Sequence, residues 1–387
     1  MREVAFRCSC PSRKFPCKHS LGLLLLFASQ AGAFRSTDQP EWVSAWLESR
    51  SQRAAKQQEK HDIADTPEAI ARRQDQQSKR AASREQNVSA GLADLQLWLQ
   101  DVIRRGLATV AQEPVAFWES MAARMVDTQA PGAARLLREA SQLVNVGDHW
   151  QDRLLRRLAR LHLLVEGYRD LAAQPPEMQA EIRAILGWTQ ASEELAAHTP
   201  QADNWAVMAQ TMDVEDRLRV QRTWLWGLHS LRPALRLDFA HGSGPLDVSF
   251  CAGTCVAASV VYYDAAWPLR AIVRDQQPAR PLAEPVGYES IPAALDAYDQ
   301  ALAASPFIEQ FPVPLKSACL LRDGDGWLIR DAGGHVLPAY SSNTWRLLSL
   351  GGGRPMGVFG LWDGSRLGLL SGFSQGRYLQ LGTTSPL

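Results

Sequence analysis

Residues 8–19 read Cys8-Ser9-Cys10-Pro11-Ser12-Arg13-Lys14-Phe15-Pro16-Cys17-Lys18-His19. Two pairs of metal-ligating side chains stand in this stretch, Cys-x-Cys and Cys-x-His, with six residues between them. Three thiolates and one imidazole are a ligand set for a closed, tetrahedral structural zinc site. The spacing suits that chemistry. Residues 4–7 have the pattern of a short strand, with Val4 and Phe6 on one face. In an extended chain, residues two apart point the same way, so Cys8 and Cys10 can reach one ion. Pro11, Ser12 and Pro16 turn the chain, and Cys17 and His19 then open an apolar run over residues 21–27. That run predicts a short helix packed over the site. Incidental thiols beside a surface histidine are the weaker alternative, because three of the six cysteines fall within ten residues. A disulfide framework is weaker too, since Cys251, Cys255 and Cys319 are sparse in a chain of 387 residues with no secretion signal expected.

The order C-x-C, a gap, then C-x-H resembles a SWIM zinc finger. The chain is similar to the bacterial SWIM zinc finger family over about residues 5–30, and in general organisation beyond them. The resemblance implies a ββα finger holding one structural zinc through Cys8, Cys10, Cys17 and His19. It also implies DNA binding or protein interaction. One departure stands out. A SWIM finger has a strand and further residues before its first cysteine pair, whereas seven residues precede Cys8 here. The first strand of the hairpin is therefore expected to be missing, in a finger shortened at its N-terminus.

Lys and Arg number 41 and Asp and Glu number 41, so bulk attraction to a polyanion is excluded. The charge is uneven, however. The finger carries Arg2, Arg7, Arg13, Lys14 and Lys18 against the single acid Glu3. Arg13, Lys14 and Lys18 are candidate nucleic-acid contacts through phosphate, with a solvated rim as the alternative. Residues 21–28 are apolar but short of the roughly 20 residues that span a bilayer, so no membrane partner is expected. Free thiols and a zinc motif point to a reducing cytoplasm.

Four regions follow from the changing periodicity, and together they predict a multidomain α+β protein. The finger occupies residues 1–30. Residues 31–89 hold a short helix around Trp42 and Trp46, with Asp38 as its cap, and then a polar, charged linker. Residues 90–200 carry helical periodicity and predict a bundle or stack of helices. Its inner faces are assigned to Leu92, Leu95, Leu99, Val102 and Ile103, to Phe117, Trp118, Met121 and Met125, and to the helix that follows Asp148. That long helix carries Leu154, Leu155, Leu158 and Leu161 inside and a stripe of Arg153, Arg156, Arg157 and Arg160 outside. Residues 201–387 switch to a period near two and predict a mostly antiparallel β domain, with one inserted helix near residues 291–304. Strands are expected at 246–250 and 347–350 among others. Trp224 and Trp226 are predicted to share a face that could line a groove.

No catalytic constellation emerges. Gly351-Gly352-Gly353-Arg354 lacks the Gly-Lys-Ser/Thr ending of a phosphate loop and reads as a hairpin turn. Asp323-Gly324-Asp325-Gly326 reads as a turn between strands, not a calcium loop. Gly372-Phe373-Ser374-Gln375-Gly376 has the letters of a nucleophile elbow, but no Asp, Glu or His follows it. Cys251, Cys255 and Cys319 read as core residues of the β domain rather than a second zinc set with His241 or His335. His149 and His162 have acids one turn on, Asp152 and Glu166, but no third ligand. The sequence therefore predicts a zinc-binding adaptor whose finger recognises nucleic acid or a protein. A DNA-binding protein proper is the alternative, and an enzyme with a site in the β domain is the least supported.

Overall fold

A computed structural model describes residues 6–11, 16–30, 32, 34, 40–64, 67–147, 149–190, 194–215, 218–242, 244 and 246–382. Val4, Arg13, Lys14, Asp38 and Asp148, each assigned a role above, lie outside them. The chain divides into two compact units, Met1–Ala81 and Ala82–Leu387.

The first unit is helical. Helix α1 spans Lys18–Ser29, α2 spans Glu41–Ala64, and α3 begins in this unit and spans Pro67–Arg105. The polar segment, whose composition favours a solvated helix or a flexible tether, is helix through most of its length. The reason is local. Ala, Gln, Glu, Lys and Arg are strong helix formers, no Gly or Pro interrupts residues 41–64 or 68–90, and Pro67 takes the first position of α3. Residues 6–11 form no strand, so among the described residues the expected ββα finger contributes its helix. The apolar run of α1 does not pack over the ligands as predicted. Leu23, Leu25 and Phe27 are 59%, 69% and 54% exposed, and the buried residue of the helix is Ser20.

In the second unit, the remainder of α3 packs with α5 (Val115–Asp127), α6 (Pro131–Ser141), α7 (Trp150–Arg169) and α8 (Pro176–Leu186). A one-turn α4 (Leu107–Val110) follows Gly106, whose φ of 81° ends α3. Leu92, Leu95, Leu99, Val102, Trp118 and Met125 form one core with Leu154, Leu158, Leu161, Leu164 and Ile182. Ile103 and Leu155, assigned to inner faces, instead lie about half exposed, at 50% and 47%. A heptad-like stripe marks the centre of a buried face better than its edges.

Two arginines of the α7 stripe, Arg157 and Arg160, are engaged within the chain, whereas Arg156 is exposed. Arg157 pairs with Glu139 and Glu309, and Arg160 pairs with Glu309 and donates to the Ile308 carbonyl. Beside them Glu181 of α8 is half-buried. It accepts from the Ser305 hydroxyl and from the Ala266 backbone N–H at 2.9 Å. Burial raises its pKa above the ordinary carboxyl value, and those hydrogen bonds offset part of the effect. The folded chain thus holds this proton more tightly than the unfolded chain does. Its contribution to stability is present below the unfolded pKa and is lost as pH rises through the folded one. Glu181→Gln should therefore gain stability relative to the native chain as pH rises across that window. Urea unfolding of both proteins between acid and neutral pH checks this, and parallel curves would refute it.

The first β-sheet has the order β3-β2-β1-β4-β5, with β6 pairing the first residues of β4 and β5 its last. Its strands are β1 (Gln201–Glu215), β2 (Leu218–Gly227), β3 (Pro233–His241), β4 (Thr254–Tyr262), β5 (Ala271–Arg274) and β6 (Arg280–Pro281). All its ladders are antiparallel. β1 is covered on both faces. Trp205 and Val207 join Phe250 and Val256 in one core, whereas Ala206 and Met208 join Trp224, Trp226 and Phe359 in another. Trp224 and Trp226 share a face as predicted, but they are 3% and 1% exposed and line no groove. The strand expected at residues 246–250 is absent, and Val248 is 89% exposed.

After α9 (Ile291–Ala304), five strands close a ring. They are β7 (Phe311–Asp323), β8 (Gly326–Asp331), β9 (Val336–Tyr340), β10 (Met356–Trp362) and β11 (Leu367–Ser374), with β12 (Arg377–Gln380) hairpinned onto β11. The stretch expected as a strand at 347–350 lies instead in α10 (Thr344–Gly351), which packs Leu347 into the barrel core. A four-residue apolar run has no period by which to tell the two apart. The glycines after it cap that helix, with Gly352 at φ 57°, rather than turning a hairpin. Asp323 and Gly326 do close the β7–β8 turn, and Ser374 and Arg377 the β11–β12 turn.

Candidate metal centre

The ligands are gathered by a short loop and one helix start. Cys8 and Cys10 lie in the irregular segment, Cys17 stands at the N-cap of α1 with extended φ and ψ of −77° and 167°, and His19 is in its first turn. Their Sγ and imidazole nitrogen atoms all lie within 4.8 Å of one another. Cys8 Sγ is 3.9 Å from His19 Nδ1. Ligand atoms on a tetrahedral zinc sit roughly 3.5–3.8 Å apart, given Zn–S and Zn–N bonds of about 2.3 and 2.0 Å. The four side chains therefore fit the ion. They are arranged to bind a single zinc.

The thiols differ in environment. Cys17 is buried, Cys10 half-buried and Cys8 exposed. The Ser20 hydroxyl lies 3.2 Å from Cys17 Sγ, and hydrogen bonds from the Ser20 side chain and backbone draw the Cys17 pKa down to about 6. Cys8 moves the other way. The Cys10 backbone N–H lowers its pKa, but sharing protons with the Cys10 and Cys17 thiols, together with desolvation, outweighs that and raises it. The two thiols are thus shifted in opposite directions by their neighbours, and zinc binding requires both as thiolates. Ser20 escaped the sequence reading. Its signal was a small hydroxyl residue three positions after a ligand at a helix start, where it faces back onto the cap.

These observations carry the assignment. Residues 7–27 match the SWIM zinc finger. Residues 83–186 match the SWIM-associated four-helix bundle domain, which covers α3 from its second half through α8. No curated protein and no solved structure matches the chain. The SWIM match holds all four ligands and most of α1.

Of the candidate nucleic-acid contacts near the SWIM ligands, Lys18 is exposed at the first position of α1, and Arg13 and Lys14 fall outside the described residues. Among the described residues, no second group of three or more His, Cys, Asp or Glu side chains is so gathered. Cys251 is exposed, and Cys255 and Cys319 are half-buried, so they are less enclosed than core thiols. His149 and Asp152 meet at 3.7 Å on an open helix face, while Glu166 engages Gln96 and Arg169 rather than His162. No helix among the described residues is long and apolar enough to cross a membrane.

Proposed function

We propose that this chain is a zinc-dependent interaction protein in which the SWIM finger presents α1 to a partner. One observation carries the reading. The helix that starts at two of the zinc ligands, Cys17 and His19, exposes Leu23, Leu25, Leu26 and Phe27 at 52–69%. Exposed apolar side chains in a contiguous run mark an interaction site. The zinc is structural in this reading, because protein side chains fill all four positions and leave none for activating water. The protein is not an enzyme in this account. A reducing, cytoplasmic setting fits its six free thiols.

The helix favours a protein partner, since it offers leucines and phenylalanine where phosphate would need cations. DNA is the second reading, supported by Lys18 at the helix start and by exposed Arg7. Chemical crosslinking in cells from the Lys18 amine separates them. Crosslinks from Lys18 to another protein, lost in Cys17→Ser and in Leu25→Asp, are the expected result. Salt-sensitive binding of labelled duplex DNA, abolished by Cys17→Ser and Lys18→Glu but indifferent to Leu25→Asp, would hand the finger to DNA.

A further inference from the structure

The five strands of the C-terminal ring, taken in chain order, neighbour one another as one-two-three-five-four-one. Every pair is antiparallel except the third with the fifth, where Ala339 and Tyr340 run parallel to Leu367 and Gly368. Helix α10 lies between the third strand and the fourth. This is the topology of an OB-fold barrel, a fold that takes oligonucleotides and oligosaccharides on its second and third strands and on the loops joining strands one to two and four to five. The exposed ring and the arginines of this barrel lie beside that face, at α10 and the β11–β12 turn. Fold alone names no ligand. The side chains do so.

Part of the barrel exterior is already used. Phe359 of β10 and Leu370 and Phe373 of β11 pack onto Trp224 and Trp226 of the first sheet. The outer face of β8 and β9 is open. Arg330 and Pro338 are exposed there, and Val336 is 48% exposed. At the start of β8, Trp327 carries the Arg322 guanidinium 5.0 Å above its ring. Trp327 also meets Trp345 of α10 edge to face, with ring centroids 5.0 Å apart. Trp345 is 67% exposed, an unusual cost for so large a ring unless something covers it. Next to it an open groove of about 480 Å³ runs between α10 and the β11–β12 turn, with Arg346, Ser349, Gln375 and Arg377 in its wall. No acid lines this groove, and neither arginine has an ion-pair partner among the described residues. Residues 311–381 hold seven Lys and Arg against four Asp and no Glu, in a chain whose net charge is zero. One of those four, Asp331, is buried and engaged by the Ile291 and His335 backbone N–H groups.

We propose that this barrel binds single-stranded nucleic acid, stacking a base on Trp345 and holding phosphates on Arg346 and Arg377. Exposed aromatic rings beside unpaired cations are the chemistry of single-strand binding, because every base has a face to stack and every linkage a charge. A duplex hides its base faces in its own stack, leaving Trp345 without a partner. An uncharged oligosaccharide leaves the arginines without one. The site uses no residue of the finger and does not require its zinc.

The full chain, titrated with a fluorescein-labelled oligothymidylate of about 16 nucleotides, tests this by anisotropy. Binding should weaken as salt rises. Trp345→Ala should reduce affinity about tenfold, within the range measured for one stacked base. The double variant Arg346→Gln, Arg377→Gln should lower the log–log salt slope by about 1.4, at roughly 0.7 per lost phosphate contact. Cys17→Ser should bind as tightly as the native chain. All the barrel changes are at exposed side chains, and unchanged thermal unfolding shows that each variant folds. Four results would overturn the proposal. They are no binding by the native chain, equal affinity for a blunt duplex of the same length, and binding lost in Cys17→Ser but untouched in the barrel variants. The fourth is binding of uncharged maltohexaose that Trp345→Ala abolishes while the oligonucleotide is ignored.

Discussion

The purified chain should carry about one zinc ion, and the Cys17→Ser chain none. The expected effect is large because the finger has little else to hold it. Of its described residues, Cys17 and Ser20 are buried, while the leucines of α1 lie open. A segment with so little buried apolar surface cannot offset the entropy of ordering its backbone. Binding one zinc to such a ligand set contributes roughly 10–16 kcal/mol near neutral pH, which is ample. Removing Cys17 takes away a ligand and the Ser20 contact at 3.2 Å together. A chelator should do the same to the native chain. Because Cys8 holds its proton above the usual thiol range, acid should release the metal as well, with affinity falling as pH falls. The second unit has its own cores and should unfold at an unchanged temperature in the variant. Elemental analysis beside thermal unfolding reads both outcomes. Zinc retained by Cys17→Ser would refute the ligand set, and loss of the second unit's transition would refute its independence from the finger.

The ligands were legible in sequence because coordination chemistry is local. Four side chains within twelve residues leave few geometries, and Cys8, Cys10, Cys17 and His19 converge as their spacing requires. The helices were legible for a related reason, since the 3.6-residue period of Leu154, Leu158, Leu161 and Val165 is a property of one segment. The role of the α7 arginines was not. Glu309 lies 152 positions from Arg157, and nothing in either neighbourhood points to the other. Sequence pattern reports that a side chain is polar, not whether its counter-ion is water or a distant carboxylate.

The β half shows the same boundary more sharply. Alternation at Trp205, Val207 and Ala209 identified a strand, yet it suggested one inner face where the structure has two. Ala206 and Met208, which lie between them, pack against the second sheet, and Ala209 joins them there past a break in register after Val207. β7 and β9 escaped altogether. Pro312 and Pro314 in β7 and Pro338 in β9 argue against strands in a window, although each has a place in a finished ladder. Closure of the ring rests on two paired positions, Leu367 with Ala339 and Gly368 with Tyr340. A parallel contact that brief leaves no periodic trace. It nevertheless turns a sheet into a barrel, and so decides which outer face remains open to a ligand.

Gly132→Ala should destabilise the second unit more than any other single methyl group added to the bundle. The sequence marks Pro131-Gly132 only as a break between helices. In the structure Gly132 sits in the first turn of α6, against the last turn of α8. A Cβ there would fall 1.7 Å from the Ile185 carbonyl oxygen, 2.8 Å from its carbon and 2.9 Å from the Leu186 carbonyl carbon. These are backbone atoms, and no rotamer moves them aside. Gly187, at φ 103°, closes the same contact from the other side, where its own Cβ would meet Pro131 at 2.7 Å. The two helix ends must therefore part, which loosens Leu137 and Ile182 in the core behind them. Overpacking costs about 1–3 kcal/mol where side chains can yield, and the upper end or more applies where only backbone can. The gain of about 1 kcal/mol in helix propensity for alanine offsets part of it. A fall of about 3 °C in the unfolding midpoint is expected, at roughly 1.5 °C per kcal/mol given about 2.1 cal/mol/K of unfolding entropy per residue in the Ala82–Leu387 unit. Gly167→Ala in α7 is the control. Its new methyl group would meet the end of the Ile182 side chain at 3.0 Å, which can rotate away, so its midpoint should stay close to native. Equal stability of the two variants would show that α6 and α8 are not held in backbone contact at Gly132.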